Sequence, residues 1–262
     1  MNEKRDLFSL DGKVIIVTGG TRKYGYHMCG ALVEAGGTVI LTSREKARAQ
    51  AIADEIGREG GRILGYELSL EDDESIDRLV ADVISDHGKI DVLVNNARHI
   101  PRMPGADINR MELDLLFTVN CSGVILLTRS VAEEMKKTGG GNIINIGSIY
   151  GMVGQDLGIY DDPEKNYSWD YPFQKGGMIA YTKQVATVLA RFNIRCNCLS
   201  LAGLLETAPD DPVFLQRYCE KTPLRRMANA DDVKGPIVFL ASDASSYMTG
   251  ANLVIDGGWT AW

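Results

Sequence analysis

The chain reads as a single α/β domain built on a doubly wound parallel sheet. Three observations predict this. Short β-branched runs alternate with helical stretches from one end to the other. The strand runs are apolar almost without a break, as strands covered on both faces must be. No linker or low-complexity segment divides residues 1–262.

The first strand is 14–17, all Val and Ile, and a helix over 26–35 is stopped by Gly36-Gly37. The unit repeats as strand 38–42 with helix 45–58, then strand 62–67 with helix 72–87. Strand 90–94 precedes a long helical stretch over 110–137 that ends at three glycines, Gly139 to Gly141. Strand 142–146, helix 172–192, strand 195–199, helix 231–241 and strand 252–255 complete the pattern. Residues 151–170 and 202–221 read as irregular insertions, the second with a short helix. Both follow strands, so both are expected to overhang the ends where open α/β sheets bind ligands.

With 262 residues and 45% hydrophobic side chains, the chain can bury a sizeable core. The net charge of −7 argues against general attraction to nucleic acid or anionic membrane. No apolar run is read as reaching the roughly 20 residues of a membrane span. The polar start lacks a signal-peptide core, so the expected location is the cytoplasm. The five cysteines, Cys29, Cys121, Cys196, Cys198 and Cys219, have no zinc-ribbon spacing. They read as small core residues in a reducing compartment, and no metal site is expected.

Between the first strand and its helix lies Thr18-Gly19-Gly20-Thr21-Arg22-Lys23-Tyr24-Gly25. Glycines let a backbone approach a pyrophosphate, and the helix that follows offers free N–H groups and a positive dipole end. The second strand runs into Ser43-Arg44, where an acid would hold a ribose 2′-hydroxyl. Ser43 leaves that place uncharged, and Arg44 with Arg22 or Lys23 suits a 2′-phosphate, which points to NADP(H) rather than NAD(H). Tyr171 and Lys175 are four residues apart at a helix start and can face one site. A phenol titrates near ~10, and a nearby ammonium favours its phenolate, bringing it toward acid–base use.

TGGTRKYG, Asn95-Asn96-Ala97, Asn120, Ser148, Tyr171 to Lys175, and the ending Thr249-Gly250-Ala251-Asn252 with Asp256-Gly257-Gly258 occur in one order. Together they resemble the short-chain dehydrogenase/reductase family over about residues 9–259, and Lys175–Ser200 is similar to its active-site helix and next strand. The resemblance implies a Rossmann-type fold and hydride transfer between a nicotinamide and a carbonyl or alcohol. It implies that Tyr171 handles the substrate proton, Lys175 supports it and holds the nicotinamide ribose, Ser148 binds the substrate oxygen, and Asn120 anchors a water relay. It also implies a cofactor-binding set of Gly19, Thr21, Arg22, Lys23, Tyr24, Gly25, Arg44, Leu68, Asn96, Ala97, Tyr171, Lys175 and Thr207. Members assemble as dimers or tetramers through the long helices, so a homotetramer or dimer is expected, with no nucleic-acid or membrane partner. Trp259 and Trp262 are expected to pack on a neighbouring subunit or near the site.

Three positions depart from the family pattern. Lys23 stands for a glycine, Arg98 for the glycine after Asn-Asn-Ala, and Leu201-Ala202 for a Pro-Gly pair. Pro172 disfavours helical geometry at Tyr171, which places Tyr171 as a cap. The long 151–170 segment carries Tyr160, Tyr167 and Trp169 among Asp156, Asp161, Asp162, Glu164 and Asp170. It suits either a polyhydroxylated ligand such as a sugar or sugar acid, or a structural lid or subunit contact. Arg98, His99 and Arg102 form a basic cluster suited to an anionic substrate group, or else are solvated loop charges. His27 and His87 read as ordinary helix residues. The substrate alternatives are a 3-oxoacyl thioester and, from another class, no turnover at all in a dinucleotide-binding sensor.

Overall fold

A computed structural model of the chain describes residues 6–101, 107–163 and 166–262. Seven parallel strands carry the fold: β1 Val14–Val17, β2 Thr38–Ser43, β3 Ile63–Glu67, β4 Val92–Asn95, β5 Gly141–Ile146, β6 Ile194–Leu201 and β7 Asn252–Ile255. Their order is β3-β2-β1-β4-β5-β6-β7. Register follows apolar alternation. Ile15 and Val17 enter one core with Met28, Leu32 and Leu240, while Val14 and Ile16 enter the opposite core with Leu79, Leu127 and Met135. Each fully buried Ile or Leu contributes about 1.5–3 kcal/mol, so both faces reject a one-residue slip.

The helices are α1 Lys23–Glu34, α2 Lys46–Ile56, α3 Asp73–His87, α4 Arg110–Phe117, α5 Gly123–Lys137, α6 Asp170–Leu189, α7 Pro212–Lys221 and α8 Asp231–Ala241. α1, α2 and α8 cover one face, and α3, α5 and α6 the other. β1 pairs with β2 on one side and β4 on the other, so the order of strand addition reverses beside β1. Ligands bind in such a crevice beyond the strand ends.

Three expectations are corrected. The 110–137 stretch is not one regular helix, because a π-helical turn over Thr118–Ser122 separates α4 from α5. Arg110–Lys137 is also long and apolar enough, by composition, to cross a membrane. Its polar residues break the apolar run without lowering the average far, and Leu116, Val124, Leu127, Val131 and Met135 are buried in this fold. Tyr171 is not a cap. α6 starts at Asp170, which places Tyr171 in the first turn and Pro172 one residue further in. First-turn N–H groups have no intrahelical partner, so the proline removes nothing, and Ser168 Oγ accepts from the Tyr171 N–H at 3.2 Å.

The 202–221 insertion contains α7, capped by Asp211, which accepts from the Val213 and Phe214 N–H groups at 2.9 and 3.2 Å. A third core joins α7 to the 151–170 segment and the C-terminus. It comprises Ile149, Ile159, Phe214, Tyr218, Met227 and Trp259. Trp259 lies against Tyr218 with ring centroids 4.5 Å apart, whereas Trp262 is 76% exposed. The two tryptophans expected to act alike therefore split: Trp259 packs within its own chain, and Trp262 is left mostly exposed.

Candidate active site

The site begins where β1 and β4 end. Thr18 Oγ1 accepts from the N–H groups of Asn96 and Ala97, each at 2.9 Å. The Asn96 amide donates to the Thr18 and Gly19 carbonyls at 2.8 and 3.0 Å. These bonds draw the two strand ends so close that a Cβ on Gly19 would lie 2.8 Å from the Ala97 Cα. Gly19 also has φ +64, and a Cβ on Gly25 would lie 2.6 Å from the Gly19 carbonyl oxygen. Lys23 holds φ +54, the left-handed conformation natural to glycine. The turn thus keeps a glycine's backbone path with a lysine in it, and it has the concave shape and free helix N–H groups that fit a dinucleotide.

Arg22 and Lys23 are exposed at the start of α1, and Arg44 is exposed after β2, which pairs directly with β1. Thr21 is half-buried between them. Tyr24 donates to the Ala202 carbonyl at 3.2 Å, and His27 lies 2.9 Å from Glu206. Two side chains of α1 therefore strap the segment after β6 across the groove, a role not visible for an ordinary helix histidine. Thr207 is exposed in the short turn Leu205–Thr207, with its hydroxyl on the Leu204 carbonyl at 3.0 Å. Leu68 is 4% exposed and packs into the core, so it offers main chain rather than side chain to a ligand.

The catalytic candidates converge. Ser148 ends β5, is buried, and caps the short turn Ile149–Gly151. α6 carries Tyr171 and Lys175 toward it. The Lys175 ammonium lies 5.8 Å from the Tyr171 ring centroid and donates to the Ile146 carbonyl at 2.6 Å. Burial pushes the Tyr171 phenol up, but the charges of Lys175 and Arg98, with the Ser148 hydroxyl, outweigh it and hold the phenol below its ordinary range. Burial first, and Arg98 second, lower the Lys175 ammonium, against the pull of Tyr171.

Asn120 sits in the π-helical turn, a distortion that often marks functional positions. Its side-chain oxygen accepts from the His99 N–H at 2.6 Å. Its amide donates to the His99 carbonyl at 3.0 Å and to Gln174 Oε1 at 2.8 Å. Gln174 then donates to Asp170 at 3.0 Å, and Ser168 donates to the other Asp170 oxygen at 2.6 Å. Both amide hydrogens of Asn120 are thus spent within the protein, and a water relay here has to start from its main chain. The tie from Gln174 to Asp170 was missed from sequence, where Asp170 was read only among the acids of the 151–170 segment. Its signal was their i, i+4 spacing at the start of α6.

Other candidates have different tasks. His99 of the basic cluster pairs with Glu112 at 2.9 Å, and Arg102 lies outside the described residues. Asp156 pairs with Lys221 at 2.7 Å and Asp161 with Arg217 at 2.8 Å, fastening the 151–170 segment to α7. Asp170 serves the network just described, and Tyr160 packs on Phe214 at 5.3 Å. The structural reading holds for these residues, while Tyr167 and Trp169 contact each other and Glu164 lies outside the described residues. Cys29, Cys196 and Cys198 are buried, Cys121 and Cys219 partly so, and all five are free. Among the described residues no cluster of His, Cys, Asp or Glu is built to hold a metal ion.

The chain matches the family described as Enoyl-(Acyl carrier protein) reductase over residues 21–260. It is 34% identical to a cyclopentanol dehydrogenase of Comamonas sp., covering 96% of this chain and 98% of that one. It is also 34% identical to a 3-oxoacyl-[acyl-carrier-protein] reductase of Aquifex aeolicus, over 95% and 98% of the two chains. A gluconate 5-dehydrogenase from Burkholderia cenocepacia, solved in complex with NADP and tartrate, superposes with a TM-score of 0.88 at 29% identity, covering 98% of each chain. A glycine turn on β1, a phenol and an ammonium on one helix face, and relatives that match nearly end to end lead to one conclusion: the chain belongs to the short-chain dehydrogenase/reductase family of NAD(P)-dependent oxidoreductases.

Proposed function

We propose that the chain is an NADP(H)-dependent oxidoreductase of small polar carbonyls and alcohols, sugars and sugar acids among them. The observation that carries this reading is the Tyr171 phenol, flanked by Lys175 and Arg98, which hold it low, with the buried Ser148 at the same site. The dinucleotide, seated along residues 19–25 and Asn96-Ala97, would supply or take the hydride. Tyr171 then gives a proton to the substrate oxygen in reduction, or removes it in oxidation, with Ser148 bonded to the same oxygen. Lys175 stabilises the phenolate between the two. Asn120, Gln174 and Asp170 keep the floor of the pocket rigid.

Two observations support NADP(H). Arg22, Lys23 and Arg44 gather around the ends of β1 and β2, and Ser43 places no acid there. The similar gluconate 5-dehydrogenase was solved with NADP. Its tartrate also supports a polar, hydroxylated substrate. Assembly into a dimer or tetramer is supported by the exposed Met111, Phe173 and Val188 on α4 and α6. The test is a fluorescence titration of the purified protein with NADPH and NADH, followed by turnover on ketones, sugars, sugar acids and acyl thioesters. Preference for NADPH and turnover of polar carbonyls is expected. Preference for NADH would overturn the cofactor assignment, and binding of neither would overturn the enzyme reading.

A further inference from the structure

Arg98 stands at the carboxyl end of β4, exposed at the mouth of the crevice. Its guanidinium carbon lies 4.4 Å from the centroid of the Tyr171 ring, stacked beside the phenol. The Glu112 carboxylate nearby is paired with His99 at 2.9 Å. The charges acting most on Tyr171 are Lys175 and Arg98, and those acting on Lys23 are Arg22, Arg98 and Tyr171. Lys175 feels Tyr171 and Arg98, with the Cys198 and Cys121 thiols behind them. Cations gathered around one phenol repel one another, so an anion arriving among them is favoured. A guanidinium presents a planar fork that matches two neighbouring oxygens.

The position of the fork narrows the anion. A substrate oxygen exchanging a proton with Tyr171 has to sit within hydrogen-bond reach of the phenol. A guanidinium that lies over the Tyr171 ring stands beside that substrate oxygen, within reach of a group on the next carbon. Resting on the oxidoreductase reading above, we infer that Arg98 is a substrate-recognition residue and that the substrate carries a carboxylate beside the reacting carbon. The substrate is then a 2-oxo acid in one direction and a 2-hydroxy acid in the other. In reduction the carbonyl carbon gains a hydride, with its two electrons, from the reduced dinucleotide. The carbonyl oxygen gains the Tyr171 proton, the C=O becomes CH–OH, and the carboxylate passes through unchanged on Arg98. Tyr171 is reprotonated from solvent. The bound carboxylate also offsets one of the cations that favour phenolate, which returns Tyr171 toward the protonated form that reduction needs.

The experiment compares substrates that differ only at the neighbouring carbon. D-arabino-Hex-2-ulosonate and D-fructose are one such pair, and pyruvate and hydroxyacetone are another. Each is tested with NADPH on the wild type, Arg98→Ala and Arg98→Lys. The wild type is expected to favour the acid in kcat/KM. Arg98→Ala should lower the acid-to-neutral ratio about 10–100-fold, mainly through KM, with Arg98→Lys between the two. A wild type that favours the neutral member of both pairs overturns the inference. So does an Arg98→Ala variant that loses both members alike, which would make Arg98 a positioning residue for Tyr171. Weaker NADPH binding with an unchanged ratio would assign Arg98 to the cofactor instead. If the wild type binds NADPH and reduces other carbonyls but none of these acids, this inference fails and the oxidoreductase reading stands. If it binds neither dinucleotide, both fall.

Discussion

The glycine turn after β1 and the proton-handling pocket between β5 and α6 demand different things of the sequence. The turn demands a backbone path. Lys23 supplies it at φ +54 in place of a glycine, and the hydrogen bonds from Asn96 hold it there. The pocket demands particular atoms, and Ser148, Tyr171 and Lys175 supply them. Arg98 lies over the Tyr171 ring, and Gln174 accepts from Asn120 behind it. A path can be kept by an unusual residue at a modest cost in strain, whereas a phenol has no substitute as a proton carrier.

That contrast can be broken most directly at Tyr171. Tyr171→Phe should lower turnover about 10²–10⁴-fold while NADPH affinity stays within about twofold. A variant that loses cofactor binding equally would show that the pocket also shapes the groove. The pH profile sharpens the same point. The phenol sits below its ordinary range, so alcohol oxidation, which uses phenolate, should reach half its maximum below pH ~10 and fade as pH drops. An unshifted midpoint near 10 would remove Lys175 and Arg98 as its cause.

The turn should fail through shape instead. Gly19→Ala forces a Cβ to 2.8 Å from the Ala97 Cα at a positive φ, and should cost about 1–3 kcal/mol in chemical denaturation and weaken NADPH and NADH alike. Lys23→Gly should be gentler and of opposite sign. It relieves a left-handed lysine, adding up to about 1 kcal/mol of stability, and narrows the NADPH-over-NADH preference. A destabilised Lys23→Gly would mean that the lysine side chain carries more than its backbone costs. Smallest of all, Asp156→Asn removes a half-exposed ion pair with Lys221 and should change stability by at most about 1 kcal/mol, with a few-fold rise in KM if α7 loosens.

The alternating strands and helices were legible because each buried face repeats its own period, and the ends shifted by only a few residues. The trio was legible because its residue types carry chemistry at fixed spacing. What was hidden depends on distance across the fold. Nothing local to His99 announces Glu112, and nothing in 151–170 reveals that Asp156 and Asp161 are spent on Lys221 and Arg217. The start of α6 was misplaced for a related reason. Proline's local effect on Tyr171 was readable, but the Ser168–Asp170–Gln174 chain that fixes the helix start was not. The π-helical turn at Asn120 leaves no mark in an apolar pattern that runs on through it.

The straps from α1 to the segment after β6 have a consequence for the order in which the molecule is made. Tyr24 and Ala202 are 178 residues apart, and His27 and Glu206 are 179 apart. The glycine turn therefore leaves the ribosome well before its cover. Until β6 has joined the sheet, the groove is half a vessel. A nascent chain carries the turn open while those intervening residues are made, and a dinucleotide becomes a partner of the assembled sheet rather than a scaffold for the growing one.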